Sequence, residues 1–258
     1  PMSRLLRAER LKNRGRHVLL TALALTAVGC VWAFYSDYKG EAGDFAIKNG
    51  YYMYLYQLPM VCAIIFPLIC MLVASRLAEL EHSRGSLRLM CVMAERGALY
   101  DAKLIYGLAP VLLCVLLFWG AAIVSGLACG FASVPPMRDY ALFLLFTLAP
   151  TAAIYMLQHA LSMAIPNQTA ALCVGALGEF AGVFSLFLPQ LPWLRRLCPW
   201  GWYGALQFVG LFGWTKETRY QNAYFADMGH DWACFAGVVI AAIAFYLIGR
   251  AAFCRKEL

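Results

Sequence analysis

Nine charged residues crowd a loop of 28 residues, positions 76–103: Arg76, Arg84, Arg88, Arg96 and Lys103 against Glu79, Glu81, Glu95 and Asp101. His82 stands among them, and Leu80, Leu87, Leu89, Met90, Val92 and Met93 are interleaved. This is a chemistry of recognition. Apolar side chains fill a partner's groove while charges fix register and orientation. A solvated amphipathic surface helix carries the same pattern, and periodicity alone leaves both readings open.

No constellation for bond-breaking accompanies that segment. The four histidines, His17, His82, His159 and His230, are scattered, and the ten cysteines include no C-x-x-C pair. Ligand spacing for a metal is missing, so neither a metal nor a catalytic residue is predicted. Most cysteines lie in apolar runs, where Cys packs as a small hydrophobe. A bridge between Cys129 and Cys198 stays open. The phosphate-binding pattern G-x-x-x-x-G-K-[ST] does not occur, so ATP is not bound by that mechanism.

Three polar residues stand inside apolar stretches: Glu179, Gln158 and His159. A carboxylate in lipid costs at least ~2.5 kcal/mol, so Glu179 is expected to face the protein interior or a partner chain. It either attracts a cationic substrate or ties helices together. Gln158 and His159 read in the same two ways, as part of a substrate path or as interhelical hydrogen bonding. Near the other end, residues 189–231 hold Trp193, Trp200, Trp202 and Trp214 with Pro189, Pro192 and Pro199. Such aromatics prefer the membrane–water interface. Short broken helices dipping into the outer leaflet are expected there, with Trp193, Arg195 and Arg196 either rimming an exit path or anchoring the element at the headgroups.

The elements that position these residues are long apolar runs. A hydrocarbon core of ~30 Å needs about 20 residues of helix. Six runs qualify: Val18–Tyr35, Met53–Ser75, Leu104–Ala128, Tyr140–Ile165, Ala170–Leu188 and Trp232–Ala252. Composition agrees, with 62% hydrophobic and 14% charged residues and a mean hydropathy of +0.66. A soluble domain carries about 25% charged residues. The fold class predicted is all-α: one polytopic membrane domain over residues 1–258, six transmembrane helices, and no room for a soluble catalytic domain.

Charge sidedness sets the topology. Of the 21 Lys and Arg, fourteen fall before the first run, between the second and third, or at the C-terminal end from Arg250 onward, and seven on the opposite side. Both termini are therefore predicted to be cytoplasmic. The net charge of +7 sits at membrane edges and predicts no nucleic-acid partner. Within residues 3–16, Leu5, Leu6, Ala8 and Leu11 alternate with Arg4, Arg7, Arg10 and Arg14. That pattern reads as a short helix on the inner membrane surface or as a plain basic flank. Ala27-Val28-Gly29-Cys30 faintly resembles a lipoprotein signal, but the apolar run continues past it. Gly40, Gly43 and Gly50 predict an irregular outer loop over residues 36–52. Pro166-Asn167-Gln168 predicts a tight turn between antiparallel spans. Pro59, Pro67, Pro110 and Pro150 predict bends within spans.

The charged segment resembles the corresponding stretch of ABC-2-type transporter permeases, and more narrowly the six-span permeases of lantibiotic-immunity and related antimicrobial-peptide exporters. Glu81 occupies that family's acidic position. Ser86-Leu87-Arg88 replaces a Trp-Lys neighbourhood, Met93-Ala94-Glu95-Arg96 stands for Pro-x-x-Arg, and Tyr100-Asp101-Ala102-Lys103 keeps the Tyr and the Lys. The absent Trp and Pro bear on the subfamily more than on the family. The layout of basic N-terminal helix, six spans and aromatic outer segment is similar over nearly the whole chain.

The resemblance implies a permease of an ATP-driven exporter in the bacterial cytoplasmic membrane. ATP and Mg would be held by separate ATPase subunits, and a second six-span permease, identical or related, would complete the pore. Glu79, Glu81, His82, Arg84, Arg88, Arg96, Tyr100 and Lys103 would form the coupling helix. A cationic peptide would be the cargo. A lipid, glycan or small antibiotic is the rival cargo. A membrane-embedded enzyme is the rival of another class, disfavoured because no paired catalytic groups share one depth. A passive channel or membrane scaffold completes the alternatives.

Overall fold

The computed structural model describes residues 2–35, 43–83, 95–188 and 190–255, with only the backbone for Tyr35 and residues 80–83. In lipid every backbone polar group must be satisfied within the segment, and apolar runs of this length therefore coil into helices. The helices are α1 (Met2–Lys12), α2 (Val18–Tyr35), α3 (Gly43–Ser83), α4 (Arg96–Ala128), α5 (Met137–Ala164), α6 (Gln168–Leu186), α7 (Pro192–Leu197), α8 (Trp202–Ala205) and α9 (Trp232–Arg255). Five of them, α3, α4, α5, α6 and α9, are long and apolar enough to cross a membrane, and α2 is a shorter apolar helix.

α3 is the hub. It packs against α2, α4, α5 and α6, and 78% of its most apolar stretch is buried, against 11% for α9. Pro59 and Pro67 lie inside α3, Pro110 inside α4 and Pro150 inside α5. Each proline removes one N–H from the helical ladder. The α5–α6 turn is as short as expected. Asn167 caps α6 by accepting from the Thr169 amide at 3.0 Å, and Gln168 Nε2 donates to the carbonyls of Ser162 and Ile165, each at 3.0 Å.

Three expectations are corrected. Gly43 and Gly50 do not mark an irregular loop: α3 begins at Gly43 and continues through Gly50, bending at Asn49 (φ −119°, ψ 18°). Gly50 is there for closeness, since a Cβ would overlap the Phe131 ring. The charged stretch 76–103 is not one loop, because α3 runs through Ser83 and α4 starts at Arg96. The outer segment is not purely helical. After α7, a 3₁₀ turn over Pro199–Gly201 and α8, an antiparallel hairpin pairs β1 (Val209–Phe212) with β2 (Tyr224–Asp227), Val209 opposite Asp227 and Phe212 opposite Tyr224. β1 carries Val209 and Phe212 and β2 carries Tyr224 and Phe225, residue types that suit a pleated surface.

Candidate functional site

The end of α3 and the start of α4 are joined by charge to α1 and α9. Glu79 is exposed near the end of α3 and faces Arg16, which follows α1, at 3.4 Å. Glu81 and His82 lie on the last turn of α3 with side chains outside the described residues, and Arg84 and Arg88 lie outside them altogether. Arg96 opens α4 and donates from Nη1 to the Cys254 carbonyl in the last turn of α9 at 3.2 Å. That carbonyl is among the last four of the helix, which have no intrahelical donor.

Tyr100 and Lys103 are buried rather than displayed. The Tyr100 ring packs 4.9 Å from His159 and 5.7 Å from Phe253. Lys103 Nζ meets Glu9 Oε1 of α1 at 2.8 Å, with side-chain exposures of 1% and 2%. Asn13 Nδ2 donates to the Glu9 backbone carbonyl at 2.9 Å and reaches its Oε2 at 3.5 Å. Beside this pair, Asp101 accepts from Arg250 Nε at 3.1 Å and from the Tyr246 hydroxyl at 2.9 Å. α4 is thus tied to α1 on one side and to α9 on the other.

Glu9 was not singled out from the sequence, and Asp101 was named there only as one of the nine charges, with no role of its own. A signal existed for Glu9. It is the single acid in residues 1–16, and it shares the Leu5/Leu6 helix face at i+4 and i+3. The structure turns that face inward and leaves Leu11 62% exposed, against the expectation that Leu11 lies on the apolar side.

Inside the bundle, Gln158 and His159 of α5 are fully buried. Gln158 Nε2 donates to the Ala171 carbonyl of α6 at 3.0 Å. Its Oε1, both His159 nitrogens and the Tyr100 and Tyr155 hydroxyls have no hydrogen-bond partner among the described residues. Gly107 makes room for this cluster, because a Cβ there would overlap the Tyr155 hydroxyl. Glu179 of α6 is half-buried. Its Oε2 is buried without a partner among the described residues.

At the other end of α6, Trp200 packs on the Gly178/Gly182 face, where a Cβ at either glycine would overlap it. Tyr203 and Thr151 of α5 share a hydrogen bond at 2.8 Å. Arg195 donates to the Ser185 and Leu186 carbonyls at 2.8 and 2.7 Å, capping the C-terminus of α6. Arg196 pairs with Asp231 at 2.6 Å. Trp193 is exposed. The two arginines line different grooves: Arg195 one of about 460 Å³ with Tyr56, Gln57 and Gln207, and Arg196 one of about 470 Å³ with Trp202 and Asp231. The sequence-predicted path residues therefore form two groups. Gln158 and His159 lie within the bundle, and Trp193, Arg195 and Arg196 lie on the outer segment; Glu179 sits between them along α6. Among the described residues no group of three or more His, Cys, Asp or Glu is placed to hold a metal, and Cys129 and Cys198 are both free thiols.

This arrangement suits mechanical transmission. Charged links gather where α3 ends and α4 begins, a polar cluster lies above them, and grooves open on the opposite side. No curated protein matches the chain. The family model described as ABC-2 family transporter protein matches residues 5–182, from within α1 through most of α6. The chain is a multi-pass membrane protein that belongs to the ABC-2 family of transporter proteins.

Proposed function

We propose that this ABC-2 permease spans the bacterial cytoplasmic membrane six times, with both termini cytoplasmic, and expels a cationic amphipathic peptide from the lipid. A second six-span permease and two ATPase subunits complete the machine. ATP and Mg are held by those ATPases.

One observation carries the coupling reading. Between α3 and α4, the flanks of residues 84–94 are charged anchors: Glu79 holds Arg16, Arg96 holds the end of α9, Asp101 holds Arg250 and Tyr246, and Lys103 holds Glu9. A push on this segment by a closing ATPase dimer therefore moves α1, α3, α4 and α9 together. Packed helices shift as rigid bodies rather than deform. The outer grooves, lined by α7 and α8 with α2 and α3 in one and with α9 in the other, open or narrow in response. A cationic cargo is favoured by Glu179, a carboxylate in α6 whose buried Oε2 is unpartnered among the described residues.

The experiment is growth protection of cells carrying the full system against a cationic peptide. Replacing Glu81 and Arg96 by Ala is expected to abolish protection at unchanged membrane levels. Unchanged ATPase assembly and turnover in those variants would remove the coupling assignment. Full protection against neutral compounds but none against cationic peptides would redirect the cargo assignment alone.

A further inference from the structure

A groove of about 680 Å³ opens between α1, α2 and α4. Ligand sites have volumes of about 300–1,000 Å³. Leu6, Leu19, Ile105 and Leu113 form its walls, and Arg7 and Arg10 stand at its edge. Both arginines are exposed. They are three residues apart on one helix and so neighbours on its surface. Neither makes a hydrogen bond or ion pair among the described residues. The acid that could neutralise them is engaged elsewhere, because Glu9 is turned inward onto Lys103.

We propose that this groove binds one anionic phospholipid of the inner leaflet, its phosphate held by Arg7 and Arg10 and an acyl chain laid along α4. Charge complementarity selects the occupant: an apolar slot under two guanidinium groups without an ion pair among the described residues matches a lipid with a negative headgroup and repels a cationic peptide. Depth agrees. Ile105 to Leu113 spans about 12 Å of helix, most of the ~15 Å hydrocarbon depth of one leaflet. Pro110 lines the same wall, and its missing N–H leaves the Tyr106 carbonyl without a helical donor. The groove therefore adjoins a bend in α4. A bound chain would wedge α1 against α4 beside the Glu9–Lys103 pair. The inference rests on the membrane-spanning reading and is independent of ATPase coupling.

The test uses the protein purified with whatever subunits accompany it, delipidated in a neutral detergent. Phosphatidylglycerol or phosphatidylcholine is titrated in, with bound lipid read by native mass spectrometry and Tm by thermal unfolding. Phosphatidylglycerol is expected to remain bound and raise Tm, and phosphatidylcholine to do neither. Arg7→Gln/Arg10→Gln should weaken phosphatidylglycerol binding about tenfold or more. Arg4→Gln/Arg14→Gln removes the same charge from exposed positions off the groove and should change binding less than about twofold. Ala109→Trp, which fills the slot, should expel the lipid. Equal response to both lipids, equal loss in both double variants, or the same Tm rise with inorganic phosphate alone would overturn the proposal. So would an oligomeric state that changes on Ala109→Trp while lipid stays bound, since the groove would then be a protein interface.

Discussion

Glu9 of α1 and Lys103 of α4, ninety-four residues apart, meet at 2.8 Å with almost no exposure to solvent. A buried pair repays its desolvation only with good geometry and further hydrogen bonds. Asn13 supplies one. The pair fixes a basic N-terminal helix to the first turns of the span that follows the charged segment.

Losing one member strands the other. Lys103→Met is expected to destabilise the protein by about 3–5 kcal/mol. Glu9→Gln/Lys103→Met should recover most of that loss. Thermal unfolding of both single variants and the double variant closes the cycle. Additive losses would show that the two side chains do not depend on each other.

Asp101 joins α4 to α9 through Arg250 and Tyr246. Asp101→Asn should leave the chain in the membrane and lower substrate-stimulated ATP hydrolysis of the assembled transporter by ~5-fold or more, a usual size for coupling between distant sites. Basal hydrolysis should change little. An unaltered stimulation ratio would place Asp101 outside the transmission route.

Trp200 needs the bare face of α6. Gly178→Val puts methyl groups where the indole lies and should cost about 1–3 kcal/mol, as overpacking does. Cys198 Sγ sits 4.0 Å from the Gly178 carbonyl. Its labelling by a maleimide should therefore quicken in Gly178→Val as the outer segment lifts. Unchanged labelling with unchanged Tm would contradict that docking.

Glu179 has no ion pair among the described residues, and Oε2 has no hydrogen bond there. Glu179→Gln should therefore shift stability by less than about 1 kcal/mol, while protection against a cationic peptide falls. A large loss of Tm would identify Glu179 as a structural tie.

Long apolar helices were legible because a run of twenty apolar residues has few other stable forms. α2 begins and ends as its sequence predicts, and Asn167 announces the turn it caps. Other features were hidden for definite reasons. Gly43 and Gly50 look like helix breakers, yet Gly43 only opens α3, and Gly50 serves close packing under Phe131. The hairpin is four residues per strand, too short for alternation to show among aromatics. Arg195 and Arg196 read either as rimming an exit path or as anchoring the segment at the headgroups; their partners, the end of α6 and Asp231, lie too far away in the sequence to be seen there. Lys103 read as a docking residue because its burial depends on Glu9, a partner far away in the sequence.

Everything turns on whether this bundle is driven from outside itself. Purification of the chain from its native membranes, with the accompanying subunits identified and counted, is the most direct measurement. An ATPase subunit is expected to copurify in fixed ratio with the permease, and charge reversal at Arg84 and Arg88 should release it. A chain that transports alone, with no nucleotide-hydrolysing companion, would contradict the account.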